Sequence, residues 1–359
     1  MAIARIENVR VAAVSACVPN KVERNTDFPF TSAGEKALFM KTTGVQERRI
    51  APEHVTSVDL CCEAARVLLA HDSVADEIDA VIMVTQSGDY HLPASSILLQ
   101  DRLGLSRNVL AFDIGLGCSG YVYGLAVVSS LIHTMGLRKA LLLAGDVSSR
   151  VCFPQDRVSR PLFGDAGSAT LVENAAGSPP LLFNLFSDGA GFQAIMVPHG
   201  GARHPCGEDS LQLQSHEGGS IRRPLDLQLR GTDIFEFAVR EVPASVDALL
   251  EQNALCIGDM DCWVLHQANK LINETIIRKV GMDRSRVPFS LARFGNTSSA
   301  SIPLTLVTGT AQGITEGISC KTLMSGFGVG LSWGNAVVDL AGSVFHPLVE
   351  CSGNDSQLS

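Results

Sequence analysis

An α/β protein built from two pseudo-symmetric halves is the fold class this sequence predicts, and three observations carry the prediction. The chain repeats itself: "RVLLAHDSVADEIDAVIMVTQ" (66–86) and "DALLEQNALCIGDMDCWVLHQ" (247–267) share a double-leucine helix, an acidic loop and a strand ending in glutamine. "FDIGLGCSGYVYGLAVV" is matched by "FGNTSSASIPLTLVTG" and "RKALLLAGD" by "CKTLMSGFG", so that three segments recur in one order at offsets of 181, 182 and 182 residues. Within each half, segments of helical period alternate with short apolar strands such as "AVIMVT" and "ALLLAG", which implies parallel pairing with helices on the sheet faces. Finally, 359 residues, 46% hydrophobic and 18% charged, suffice for a large globular core.

Taken in order, "MAIARIENVRVAAVSACVPN" alternates like a strand and carries charges through its middle, unlike a signal peptide, and a cytoplasmic address follows. The first half runs over 1–174 and the second over 175–344, with a cleft expected between them. In "FGDAGSATLV" a turn at Asp165 to Gly167 precedes a strand, "SATLVE", expected to pair antiparallel. The segment "HGGARHPCGEDSLQLQSHEGGSIRRP" is a polar insertion at the start of the second half, and 345–359 is expected to be a flexible tail. No apolar run is long enough to span a bilayer. A net charge of −9 argues against nucleic acid as a partner. Ten scattered cysteines without a CxxC pair read as reduced thiols. His199, His204 and Cys206 lack the second ligand pair that a zinc site needs, so no metal is assigned.

The chemistry is expected where strands end. Cys118 lies between a strand and a helix, where free N–H groups and the helix dipole favour a thiolate. Gly115, Gly117 and Gly120 are read as clearing room for a substrate backbone. Taken alone, Cys118 fits better as a small core residue at a tight turn. His266, just beyond the strand of "WVLHQAN", fits a structural histidine, and Asn296 in "FGNTSSAS" fits an Asx turn. By the repeat, however, the Asn296 turn is the counterpart of the Cys118 turn, so the three side chains are expected to converge on one cleft. In "SGFGVGLSWG" the glycines lead into a strand rather than a helix, which excludes a dinucleotide fingerprint. Such a loop can aim a backbone N–H, that of Val329, at a developing oxyanion.

With these residues in place the chain resembles the thiolase-fold condensing enzymes, most closely the β-ketoacyl-acyl-carrier-protein synthase III family. "KTTGVQERRI", "FDIGLGCSG", "GDVSSRVCFPQDR", "FGDAGSATLV", "VLHQAN", "RFGNTSSASIP" and "GFGVGLSWG" follow in the family's order from about residue 9 to 340. The resemblance implies a thiolase-like, five-layered αβαβα sandwich and catalytic roles for Cys118, His266 and Asn296. It also implies an oxyanion hole from the N–H groups of Cys118 and Val329, and a homodimer. An acyl group from acyl-CoA or an acyl carrier protein passes to Cys118, and a malonyl thioester on acyl carrier protein is then decarboxylated and acylated. No metal or redox cofactor is required.

Departures from the family bear on specificity. The family's tryptophan and arginine before the "TG" of "KTTG", which clamp the adenine of coenzyme A, read here as Leu38 and Thr42. An arginine after "HQAN" is replaced by Leu271 beside Lys270, and of this set Arg157 alone keeps its family identity. Each lost ring or guanidinium contact is worth roughly 1 kcal/mol. With Phe327, these residues form the expected substrate- or carrier-binding set. Leu92 stands where many relatives place a phenylalanine in the partner subunit's acyl pocket, which points to a larger starter and to a specialised lipid, polyketide or secondary-metabolite pathway. Transfer of the acyl group to an amine or hydroxyl without decarboxylation is the alternative reading. A biosynthetic thiolase would carry a second cysteine in the glycine-rich loop, and Gly328 to Gly330 hold none.

Overall fold

The computed structural model describes residues 2–72, 74–216, 219–310 and 320–352. The first half carries β1 (Ala2–Ile6), β2 (Val9–Pro19), β3 (Val22–Arg24), α1 (Ala33–Thr43), β4 (Glu47–Arg49), α2 (Ser57–Asp72), β5 (Ile78–Val84), α3 (Ser95–Arg102), β6 (Leu110–Ile114), α4 (Gly120–Met135), β7 (Lys139–Asp146) and β8 (Ala166–Asn174). The second carries β9 (Leu181–Ser187), β10 (Ile195–Met196), β11 (Gln214–Ser215), β12 (Ile221–Arg222), β13 (Gln228–Leu229), α5 (Gly231–Gln252), β14 (Cys262–Leu265), α6 (Lys270–Val280), α7 (Leu291–Phe294), α8 (Ser301–Thr310), β15 (Lys321–Gly328), β16 (Ser332–Asp339), β17 (Val344–Phe345) and β18 (Val349–Cys351).

Two sheets of matching order build the frame. One runs β2-β8-β7-β5-β6 and the other β9-β16-β15-β14. In each, a parallel pair (β5 with β7, β14 with β15) is present and the two pairings that follow from β7 and β15 are antiparallel. Strand β8 thus pairs antiparallel on both sides, as the turn at Asp165 foretells. Helices α2 and α3 cover one outer face, α5 and α6 the other, and α4 and α8 lie between the sheets, which makes five layers, αβαβα.

Position in this sandwich explains composition. Helix α4 touches both sheets and buries Tyr121, Val122, Leu125, Val128 and Ile132, so it is apolar nearly all round. Each such large apolar side chain contributes about 1.5–3 kcal/mol. Helix α6 faces one sheet only and buries Ile272, Ile276 and Ile277 on a single stripe. The Asn269 side chain caps its start by accepting from the Ile272 N–H, and Gly281 at φ +78° ends it in the left-handed region.

Two sequence expectations need correction. A boundary at 174/175 does not divide the sheets cleanly: β1 pairs with β9 in the second-half sheet, while β17 and β18 pair with β2 in the first. The expected flexible tail begins with ordered strand, because β18 runs parallel to β2 and buries Cys351. A hydrophobic residue on a strand outweighs its nearness to the terminus. Residues 353–359, and 217–218 of the polar insertion, lie outside the described residues. Among the described residues no helix is long and apolar enough to cross a membrane.

Candidate active site

Cys118 sits in the turn that joins β6 to α4, 6% exposed. Of the glycines around it, Gly117 and Gly120 serve close packing within the chain, whereas Gly115 does not. A Cβ on Gly117 would lie 2.4 Å from Gln86 Oε1, one on Gly120 2.4 Å from Val84 Cγ1, and Gly115 meets open space. Strand β15 presses from the other side: a Cβ on Gly328 would lie 2.6 Å from Cys118 Cβ and 2.9 Å from its sulfur. Only a residue without a side chain at position 328 lets β15 come this close to Cys118.

His266 is the first residue beyond β14 and is buried. Its backbone N–H donates to the Ser325 carbonyl at 2.8 Å, its Nδ1 lies 2.7 Å from Ser301 Oγ, and Phe327 packs edge-to-face on the ring at 5.5 Å. Burial lowers its pKa to about 3, partly offset by a hydrogen bond to the Ser298 carbonyl. The imidazole is therefore neutral, with one N–H to donate. Asn296 follows α7, and its backbone bridges the halves: its N–H donates to the Leu162 carbonyl at 2.9 Å, and its carbonyl accepts from Gly164 N–H at 3.0 Å. Its Oδ1 accepts from Ser298 N–H at 2.9 Å, which leaves the amide nitrogen toward the cavity, with only a 3.5 Å contact to the Ala268 carbonyl.

All three side chains line one cavity of about 460 Å³ together with Val329, Phe327 and Gly328. Its remaining wall is largely apolar, from Val151, Val158, Leu162, Ile195, Leu227 and Ile234 among others. That combination of a few convergent polar groups and apolar walls is what an acyl thioester requires.

The thiolate expectation is reversed in the resting site. Burial pushes the Cys118 thiol up to about 11, and the nearby Asp146 carboxylate adds to the rise. The Val329 N–H, the Ser298 hydroxyl and the cysteine's own N–H pull the other way, and burial wins. The two amides expected to form an oxyanion hole are thus both directed at the sulfur.

Asp146, at the end of β7, was not singled out by the sequence reading, yet it is central here. Buried and, among the described residues, in no ion pair, it accepts at Oδ1 from Thr85 Oγ1 (3.2 Å), Gln86 N–H (2.8 Å) and Ser87 Oγ (3.2 Å). Its Oδ2 accepts from Ser299 N–H (3.2 Å) and Ser299 Oγ (2.7 Å) beside the asparagine turn. The aspartate at the close of "ALLLAGD" was the only signal for it.

The expected binding set divides. Phe327 lines the cavity; Leu38, Thr42, Arg157, Lys270 and Leu271 do not. On α1 the cavity-facing residues are Phe39 and Thr43, each one position beyond the residue expected, because one step turns a helical side chain by about 100°. Leu38 is 66% exposed, and Leu271 and Lys270 are open to solvent, with Lys270 3.8 Å from Glu274. Arg157 is held by Gly219 O at 2.6 Å, by Thr31 and, at 3.5 Å, by Glu35. Leu92 is 86% exposed and outside the cavity of its own chain. The rings of His199 and His204 stack at 5.2 Å, and Cys206 is exposed.

Comparison with known proteins places this geometry in a family context. Residues 112–189 match the family model for 3-oxoacyl-acyl-carrier-protein (ACP) synthase III, and residues 250–340 the one for its C terminal. The chain is 33% identical over 333 residues to the β-ketoacyl-acyl-carrier-protein synthase III of Desulfitobacterium hafniense strain Y51, covering 92% of this chain and 97% of that one. A crystal structure of 3-oxoacyl-(acyl-carrier protein) synthase from Burkholderia xenovorans LB400 superposes with a TM-score of 0.90 at 34% identity, covering 98% and 99% of the two chains. The priming β-ketosynthase of the R1128 polyketide biosynthetic pathway superposes with a TM-score of 0.78 at 27% identity, covering 95% and 98%.

Proposed function

We propose a reaction for this chain from the premise that it belongs to the 3-oxoacyl-acyl-carrier-protein synthase III family of acyltransferases. The sulfur of Cys118 attacks an acyl thioester; its bond to the acyl carbon forms as the donor's thiol leaves with the proton. The N–H groups of Cys118 and Val329 hold the oxyanion. A malonyl thioester on acyl carrier protein then enters and loses carbon dioxide, and hydrogen bonds from Asn296 and from His266, whose single N–H turns from the Ser298 carbonyl, stabilise the enolate oxygen. The resulting carbanion takes the acyl group from Cys118. Donors aimed where charge appears are worth on the order of 3 kcal/mol each. The observation that carries this reading is the convergence of Cys118, His266, Asn296 and the Val329 amide on one apolar-walled cavity.

The finer assignments belong to the same proposal. A specialised pathway is supported by the non-family residues Leu38, Thr42 and Leu271 and by the likeness to a polyketide priming synthase, and a cytoplasmic address by the charges within the N-terminal segment. A homodimer is supported by β6, an edge strand of its sheet, with exposed Leu110, Ile97, Tyr90 and Leu92 nearby. Such an apolar edge calls for cover, and a second copy supplies it by antiparallel pairing about a two-fold axis. Leu92 then reaches the partner's acyl pocket.

Product analysis tests the reaction. With an acyl donor and malonyl-ACP, carbon dioxide and a 3-oxoacyl-ACP product are expected. Acylation of an amine or hydroxyl acceptor without carbon dioxide release would replace condensation with simple transfer.

A further inference from the structure

Ser298 stands between the three side chains of the site, and nothing in its sequence context distinguishes it from the serines around it. It is 6% exposed and lines the cavity. Its backbone is at φ +51°, a left-handed conformation that non-glycine residues adopt only when their surroundings hold them there. The holding contacts are the site itself. Its N–H donates to Asn296 Oδ1 at 2.9 Å, its carbonyl raises the pKa of the His266 ring, and its hydroxyl lowers that of the Cys118 thiol, both from within the same cavity lining. That hydroxyl lies against the turn that carries Cys118, since a Cβ on the preceding Gly117 would lie 3.1 Å from Ser298 Oγ.

We infer that Ser298 is a further catalytic residue, whose hydroxyl donates a hydrogen bond to the sulfur of Cys118 and stabilises the charge that builds there during acyl transfer. This rests on the reading of Cys118 as the nucleophile. A sulfur in a buried site needs every donor that can reach it, because the anion has lost its water. Ser298 keeps its own proton throughout: the thiol proton departs with the donor's thiol, and the hydroxyl only follows the charge. The same residue fixes the asparagine carboxamide and the imidazole through its backbone, so its left-handed turn aligns both stages of the reaction.

Alkylation of Cys118 by iodoacetamide, followed by peptide mass at fixed pH, measures sulfur ionisation without any acyl substrate. A hydrogen bond to a charged acceptor is worth about ten- to hundred-fold in thiolate population. The higher nucleophilicity of a less acidic thiol returns about half of that on a logarithmic scale, so Ser298→Ala is expected to slow alkylation roughly three- to tenfold. Acylation by a thioester donor is expected to slow in parallel. Ser298→Gly relaxes the backbone yet removes the same hydroxyl, so it is expected to be slowed equally, and it serves where the alanine variant folds poorly. Wild-type alkylation rates in folded Ser298→Ala overturn the inference, as does a glycine variant restored to the wild-type rate. A wild-type chain that alkylates at Cys118 but takes no acyl group from any donor overturns the functional reading instead.

Discussion

The two halves end equivalent strands on different residues. Beyond β5 stands Thr85 and at the end of β7 stands Asp146; beyond β14 stands His266 and at the end of β15 stands Gly328. In the first half the pair closes on itself, Thr85 Oγ1 donating to the Asp146 carboxylate, and the knot extends to Ser299 across the interface. In the second half the imidazole faces the cavity, and the glycine leaves room for the sulfur contributed by the first. Duplication supplied a frame in which strand ends meet. In the proposed reaction these strand ends divide the work, the β5–β7 pair serving as an anchor and the β14–β15 pair as a reacting surface that meets the sulfur.

If that division holds, substitutions in the two halves should fail differently. The largest effect is expected from His266→Ala and Asn296→Ala, each lowering condensation turnover on the order of 100- to 1,000-fold while acyl-Cys118 still forms, as read by product and intact-protein mass. Condensation at the wild-type rate in either variant would break the comparison. Asp146→Asn, on the anchoring side, is expected to lower unfolding free energy by about 1–3 kcal/mol in urea titrations, because donors in both halves lose a charged acceptor. The same change removes a negative charge that disfavours the thiolate, so alkylation of Cys118 should shift to lower pH. An upward shift would assign Asp146 an activating role instead.

A pH profile sharpens the contrast between cysteine and histidine. With the thiol held near 11 and the imidazole near 3, acylation should climb about tenfold per pH unit between 6 and 9. No inflection from a histidine is expected in that range, and one near 6.5 would show that His266 titrates normally. The imidazole also carries a stability term. Its folded pKa is depressed, so the unfolded chain binds the extra proton first, and stability falls as pH drops below about 6.5 toward 3. The smallest effect is expected at Leu92. Leu92→Phe should leave stability within about 0.5 kcal/mol, since the side chain is exposed, yet cut kcat/KM for longer acyl donors roughly tenfold. An unchanged chain-length preference would remove Leu92 from the partner's pocket.

Much of this was legible in the residues, for physical reasons. Repeated segments at a constant offset expose a duplicated frame, and strand ends followed by helices mark where side chains can gather, which is how Cys118, His266 and Asn296 were expected in the one cavity they line. What escaped notice depends on three-dimensional register. Asp146 reaches Ser299, and Ser298 acts on Cys118, across more than 100 residues of chain, so no local pattern announces them. Strand β1 crosses to the other half's sheet, an exchange that periodicity cannot encode. On α1 a single residue of phase separates Leu38 in solvent from Phe39 in the cavity wall. The thiol's state was misjudged because a helix N-terminus is visible in sequence, whereas the depth of burial that outweighs it is not.

Intact-protein mass spectrometry after incubation with a panel of acyl-CoA and acyl-ACP donors tests the central claim most directly. The account predicts that the wild-type chain gains the mass of one acyl group, located on the peptide containing Cys118, and that Cys118→Ala gains none. A wild-type chain inert to every donor, or a mass gain that persists in Cys118→Ala, would contradict it.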